Sequence, residues 1–242
     1  MKKLKRVCSI LPFLLLSPSI FAQPKNIKIA TEEWKGYTNK DGTGLYFEIV
    51  NEIYRSTSIK LEIIFVPWAR ATKLVDDKQR DVLFGSYNNL PGYLYPDYPL
   101  NTELSAVIFH KDTIPNWKGV KDLEGKKIAW VRGYDYHNYI ESKLEWSEVK
   151  STKQGLDMLL KGRVDVYMDS LETLQKTIKS RNLDITKYEI KIGLEKNTYA
   201  RFSNTKKSKQ LIEIYNRNVK KMLKSGKLKE MYKKWNHRFP KF

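Results

Sequence analysis

Hydrophobic and polar positions change rhythm several times along this chain. Asn26 to Ala30 reads as a first strand. A turn at Asn39-Lys40-Asp41-Gly42 and Gly44 follows, after which Leu45, Ile49, Val50, Ile53 and Tyr54 fall on one helical face. Ile59 to Val66 reads as a second strand stopped by Pro67, Trp68 to Val75 as a short helix, and Asp81 to Phe84 as a third strand. Gly85 to Tyr98, with Pro91, Gly92 and Pro96, reads as loop. Later, Lys127 to Val131 predicts a strand running into Arg132-Gly133-Tyr134-Asp135. Leu156, Leu159 and Leu160 mark a helix, and Val164 to Met168 another strand. The alternation predicts an α/β fold.

Both halves place a short helix before a strand that opens Arg80-Asp81-Val82 in one and Arg163-Val164-Asp165-Val166 in the other, followed by a polar loop. Two lobes of similar plan are the simplest account, each a mixed sheet flanked by helices. Loops beyond strand ends in open α/β sheets are where ligands bind, so facing lobes would enclose a cleft. Aromatic residues concentrate in those loops: Trp34 and Tyr37, Trp68, Tyr87 and Tyr93, Tyr134 and Tyr136. Side chains with an apolar body and a polar edge suit a small-molecule site, although each taken alone is also a packing residue.

Before the first strand, Lys2, Lys3, Lys5 and Arg6 precede the apolar run Val7 to Leu16 and then Ser17-Pro18-Ser19 and Ala22. This is the order of a secretory signal peptide and predicts residues 1–22 as a leader cleaved near Ala22, with the mature chain in the periplasm. The run is too short for a spanning helix of roughly 20 residues. Cys8, the single cysteine, lies within the leader, so the mature chain is expected to have neither disulfide nor lipid anchor. A formal charge of +18 suggests nucleic acid or an anionic membrane as partner. However, four of the basic residues belong to the leader, and 13 more lie between 206 and 242 against Glu213 and Glu230. That tail shows helical stripes, Leu211, Ile214, Tyr215, Met222 and then Leu228, Met231, Tyr232, Trp235, so its lysines are expected on solvent faces. A nucleic-acid partner is not expected.

Enzyme signatures are scarce. His110, His137 and His237 lack metal-ligand spacing, and there is no G-x-S-x-G elbow and no P-loop. The turn Gly42-Thr43-Gly44 lacks the third glycine of a dinucleotide fingerprint. No cofactor or metal is predicted.

The order of motifs resembles the family 3 extracellular solute-binding proteins, periplasmic receptors of polar amino acid ABC importers. Its pieces are Ile27 to Trp34, Asp41-Gly42-Thr43-Gly44-Leu45, Val66-Pro67-Trp68-Ala69-Arg70-Ala71 and Asp81-Val82-Leu83-Phe84-Gly85-Ser86. They continue with Asp122-Leu123-Glu124-Gly125-Lys126-Lys127-Ile128 and Gly162-Arg163-Val164-Asp165-Val166. The resemblance implies the two-lobed type II periplasmic binding protein fold, with lobe 1 formed by residues 23–101 and 205–242 and lobe 2 by 102–204. It further implies a monomer that captures a small polar, amino-acid-like or amine-containing ligand for an inner-membrane ABC permease.

Implied ligand contacts are Glu32, Trp34, Tyr37, Trp68, Arg70, Ser86, Asn88, Tyr93, Arg132, Tyr134, Asp135 and Asp169. The arginine that the family sets about twelve residues after the aspartate of the third strand, to pair with a ligand carboxylate, is replaced by Tyr93. The family's Gly-Thr-Thr turn is Gly133-Tyr134-Asp135 here, so the carboxylate clamp is missing from both lobes unless Arg70 or Arg132 substitutes. Glu32, Asp135 and Asp169 would make the cleft acidic, although Asp169 before Ser170 is also placed to cap the next helix. Two other readings remain: a dehydratase of cyclic carboxylic acids using Glu32 with Arg70 and Arg132, and a sensory or envelope binding domain without an importer.

Overall fold

The structure is a computed structural model that describes residues 23–88 and 90–242. The predicted leader, with Cys8, lies outside the described residues. In chain order the strands and helices are β1 (Asn26–Thr31), α1 (Leu45–Tyr54), β2 (Lys60–Phe65), α2 (Trp68–Asp76), β3 (Val82–Ser86), β4 (Tyr93–Leu94), β5 (Asn101–His110), β6 (Lys127–Val131) and β7 (Glu145–Val149). They continue with α3 (Thr152–Leu160), β8 (Val166–Ser170), α4 (Leu171–Ser180), β9 (Tyr188–Ser203), α5 (Lys206–Lys224) and α6 (Lys227–Lys234). The strand order β2-β1-β3-β9-β5-β8-β6-β7 divides into two sheets of one plan. In the first, β1 lies parallel between β2 and β3, and β3 pairs antiparallel with β9. In the second, β6 lies parallel between β7 and β8, and β8 pairs antiparallel with β5.

One polar device recurs in both sheets. Asp81, just before β3, accepts a hydrogen bond from the Lys28 backbone N–H of β1 at 2.7 Å, and Asp165, just before β8, accepts from the Lys127 N–H of β6 at 2.8 Å. Each carboxylate fixes the entry register of two parallel strands. The Arg-Asp-Val similarity seen in the sequence therefore has a structural cause. The strands begin slightly later than the apolar runs suggested, at Val82 and Val166, because the aspartates are outside the ladder.

Each sheet is covered by amphipathic helices. Leu45, Ile49, Val50, Ile53 and Tyr54 of α1 pack with Leu211, Tyr215, Met222, Leu228 and Tyr232 of the C-terminal helices on Ile27, Ile29 and Phe84. The stripes predicted in residues 206–242 are thus buried and the lysines lie outside. Leu156 and Leu159 of α3 and Leu174 and Ile178 of α4 cover Ala129, Tyr167 and Ala106 on the second sheet. No helix among the described residues is long and apolar enough to cross a membrane.

Helix α3 sits so close to β8 that a Cβ on Gly155 would lie 2.0 Å from the Tyr167 ring. Gly155→Ala must therefore push α3 off the sheet. The expected cost is about 1–3 kcal/mol, the usual range for overpacking a filled core. Thermal unfolding checks this: a melting temperature lowered by several degrees is expected, whereas an unchanged value would mean that α3 is not seated against Tyr167.

Candidate functional site

A cavity of about 580 Å³ lies between the sheets, at the ends of β3 and β6. Its walls are built by four turns. Beyond β1, the Trp34 carbonyl accepts hydrogen bonds from the Tyr37 and Thr38 N–H groups, both at 2.9 Å, and the tight turn is backed by Gly44 (φ 121°), where a Cβ would come within 2.3 Å of the Tyr37 carbonyl oxygen. This places Trp34 and Tyr37 in the wall. The second turn sets Trp68 at the start of α2, and the third brings Gly85, Ser86 and Tyr87 from the end of β3. From the opposite lobe, Gly133 and Asp135 adopt left-handed backbone (φ 79° and 53°) and present Tyr134, Asp135 and Tyr136.

The lobes touch around the cavity. The Trp68 indole N–H donates to the Gly133 carbonyl at 2.7 Å, and its ring meets Tyr134 edge-on with centroids 6.3 Å apart. The Tyr37 hydroxyl donates to Glu172 of α4 at 2.9 Å, and Lys176 donates to the Lys35 carbonyl at 3.1 Å. His237, from the segment after α6, stacks on Tyr37 at 3.8 Å, and burial holds its imidazole below the ordinary value against the opposing pull of Glu172.

Six of the twelve residues singled out from sequence line the cavity: Trp34, Tyr37, Trp68, Ser86, Tyr134 and Asp135. Glu32 lies behind them with a buried Oε2 that has no hydrogen-bond partner among the described residues. Burial raises its carboxyl above the usual range, against the Trp68 backbone N–H, and Asp169 repels it further. Asp169 is fully buried and its carboxylate is occupied by the Thr152 hydroxyl at 2.8 Å, the Tyr167 hydroxyl at 2.5 Å and the Ser170 N–H at 2.7 Å. It does not cap α4; that role falls to Ser170, whose hydroxyl accepts from the Thr173 N–H at 3.2 Å. Arg70 and Asn88 are exposed and lie off the cavity. Arg132 is likewise exposed, with its Nε 3.5 Å from Glu148. Tyr93 also lies outside the lining, its hydroxyl donating to Asp76 at 2.6 Å, which together with burial pushes its phenol up to about 12.

Among the charged residues of the wall that the sequence does not single out are Glu103 and Arg201. Glu103 on β5 accepts from the Tyr87 hydroxyl at 3.0 Å and the Ser105 hydroxyl at 2.8 Å, and burial raises its carboxyl in spite of those donors. Arg201 on β9 is 3% exposed. The available sequence signal was a charged side chain inside a strand-like run, Ala200-Arg201-Phe202, where no solvent face is to be expected.

No protein-family model matches the chain. The L-cystine-binding protein TcyA of Bacillus subtilis (strain 168) is 27% identical over 209 residues, which cover 82% of this chain and 75% of that protein. Among solved structures, a histidine kinase sensor domain with similarity to periplasmic binding proteins superposes with a TM-score of 0.71 at 16% identity, over 88% of this chain and 96% of its own. An ancestral arginine-binding protein bound to arginine gives a TM-score of 0.68 at 17% identity, over 88% and 99%.

Because Asp169 is raised by burial, the folded protein keeps its proton at a pH where the unfolded chain has released it. Its contribution to stability therefore falls as pH rises from the ordinary carboxylate value through the raised one. The melting temperature of the wild type relative to Asp169→Asn should decline as pH rises above the ordinary carboxylate value of about 4. Parallel curves would show that Asp169 titrates alike in both states.

Proposed function

We propose that this chain, which has the two-lobed type II periplasmic-binding-protein fold and is homologous to solute-binding proteins of amino acid ABC transporters, is an extracytoplasmic receptor for a small amine-bearing, amino-acid-like solute. The observation that carries the reading is the cavity closed by both lobes, with Trp34, Trp68 and Tyr134 beside Glu103 and Asp135. Aromatic faces and carboxylates together favour a cationic amine, and the rest of the ring surface covers a short apolar stem. Trp34, Tyr37, Trp68, Ser86, Tyr134 and Asp135 are the proposed contacts, while Glu32 and Asp169 act through their charge from behind the wall.

In this reading, residues 1–22 direct export and are removed near Ala22, and a monomer delivers the solute to an inner-membrane ABC permease. Residues 23–101 with 205–242 and residues 102–204 make the two lobes, with the end of β9 from Ala200 to Ser203 packed in the first. Closure is a hinge motion in which the ligand bridges both lobes and selects the closed state. The fold also serves a histidine kinase sensor domain, but the sequence relation along most of the chain is to a binding protein, which favours the carrier.

A thermal-shift panel of L-cystine, L-arginine, L-glutamine, L-glutamate and simple diamines tests this. A ligand at about 100 times its dissociation constant stabilises the folded state by about 2.7 kcal/mol, which for a chain of this size is a rise of roughly 5–10 °C. Trp68→Ala removes both an aromatic wall and the bond to Gly133, and is expected to reduce affinity by roughly 30-fold or more. The absence of any shift across the panel would overturn the reading.

A further inference from the structure

Arg201 carries a charge that the fold does not use. Its side chain is 4% exposed, and its Nε and Nη2 are buried without a hydrogen-bond partner among the described residues. The nearest carboxylate oxygen, on Asp76, is 3.9 Å from Nη2, too far for a hydrogen bond, and Asp76 already accepts from the Tyr93 hydroxyl at 2.6 Å. The guanidinium carbon lies over the Tyr93 ring, 4.5 Å from its centroid, a contact that holds the group without satisfying its donors. The Tyr95 hydroxyl beside it is also buried and unpartnered among the described residues. A buried arginine with idle N–H groups is costly, and such groups are retained where a partner arrives from elsewhere.

The partner's route is set by the cavity. Arg201 is in its wall, together with Ser86 and Leu90. The other cationic residues lining it, Lys35, Lys176 and Arg238, are exposed at the mouth, and Lys176 and Arg238 are paired with Glu172 and Glu195. Arg201 is therefore the buried positive charge of the wall, which also carries the carboxyls of Glu103 and Asp135. A ligand bearing both a carboxylate and an amine would meet a partner for each.

We propose that Arg201, reaching into the cavity from the strand shared by both sheets, is the anchor for a carboxylate of the ligand. This rests on the solute-binding reading above and deepens it: the ligand is a zwitterion held by its anionic end against the lobe junction. A planar carboxylate matches the guanidinium fork, and it can be accepted without breaking any bond that Arg201 makes in the structure. Arg70 and Arg132 have no part in this contact. Tyr93 is the positioning residue for the arginine.

The test has two arms. In the first, affinities of the wild type are measured calorimetrically for L-arginine, L-glutamine and L-cystine and for argininamide, glutamine amide and cystine diamide, then repeated with Arg201→Met, Arg201→Lys, Asp76→Asn and Arg70→Met. Loss of the ligand carboxylate, or Arg201→Met, should weaken binding by roughly 30-fold or more. Arg201→Lys should be intermediate, and Asp76→Asn and Arg70→Met should stay within about threefold, a change worth no more than a weak exposed pair. In the second arm, the ¹⁵Nε–H resonance of Arg201, identified by its loss in Arg201→Lys, is followed in wild-type protein as sodium acetate is added, with sodium chloride as control. A saturable acetate-specific shift supports the anchor whatever the physiological ligand is. Amino acids that bind Arg201→Met as tightly as wild type, or amides that bind as tightly as acids, would overturn the anchor and leave the solute-binding reading standing. An acetate shift with no binding of any amino acid would keep the anchor and overturn that reading. No acetate shift and no binding would overturn both.

Discussion

Ten residue pairs, from Asn101↔Thr198 to His110↔Tyr188, join β5 to β9, and both cores hang from this antiparallel ribbon. On its outer side β9 continues past β5 to pair with β3 through Phe202 and Arg201, while β5 pairs through Ser105 to Phe109 with β8. A two-stranded connection holds the register of both sheets yet leaves them free to bend about it, because few side chains must repack when a ribbon flexes. The register slips between Ser105 and Ala106, where β9 carries Gly193 as an extra residue. Bulges re-aim side chains and increase local twist. This one adjoins Ser105, whose hydroxyl bonds Glu103 in the cavity wall. The constraint that holds the lobes together thus also aims their charges.

Those charges are treated unequally. Asp81 and Asp165 are spent on strand registration, Asp81 with Lys207 at 2.6 Å as a further partner. Asp169 is enclosed by hydroxyl and amide donors, so it rigidifies the β8–α4 corner and projects its field without offering an oxygen. Glu103 keeps one face toward the cavity, and Glu32 Oε2 and Arg201 are left with unfilled hydrogen-bonding capacity. A low-dielectric interior amplifies such differences: a satisfied carboxylate there is structural, whereas an unsatisfied one is available to a ligand.

Most elements were legible because α1, α2, β1 to β3 and the C-terminal helices each show one apolar face to one core. Strand β9 was not. Its first half, with Glu189, Lys191, Glu195 and Lys196, is half-exposed along a ribbon between lobes, so period-two patterning appears only where it enters the first core at Ala200 and Phe202. Aromatic members of the site could be read because loops rarely carry so many rings by chance. The charged members were harder. The resemblance implies an arginine at the position of Tyr93, and in its absence Arg70 or Arg132 is the expected substitute, although Arg70 lies in α2 and Arg132 just beyond β6. In space the guanidinium over Tyr93 comes from β9, more than a hundred residues away. Such a replacement leaves no trace near Tyr93 itself; its one mark in the sequence is the charge within the strand-like run Ala200-Arg201-Phe202.

The basic tail also acquires a specific role. Beyond α6 the chain turns back across the ribbon. Arg238 and Lys241 both reach Glu195 of β9, at 3.0 and 2.8 Å, and the Lys241 N–H donates to Thr102 of β5 at 3.0 Å. Asn197 of β9 donates to the Lys241 carbonyl at 2.8 Å. Exposed ion pairs contribute little stability, but these hold His237 over Tyr37 while its chain lies along the β5–β9 ribbon. A segment tied to both strands of the ribbon would follow any bend in it, so in the proposed closure His237 would move with the lobes. Part of the positive charge that suggested nucleic acid is therefore local, fastening the end of the chain to the ribbon between the sheets.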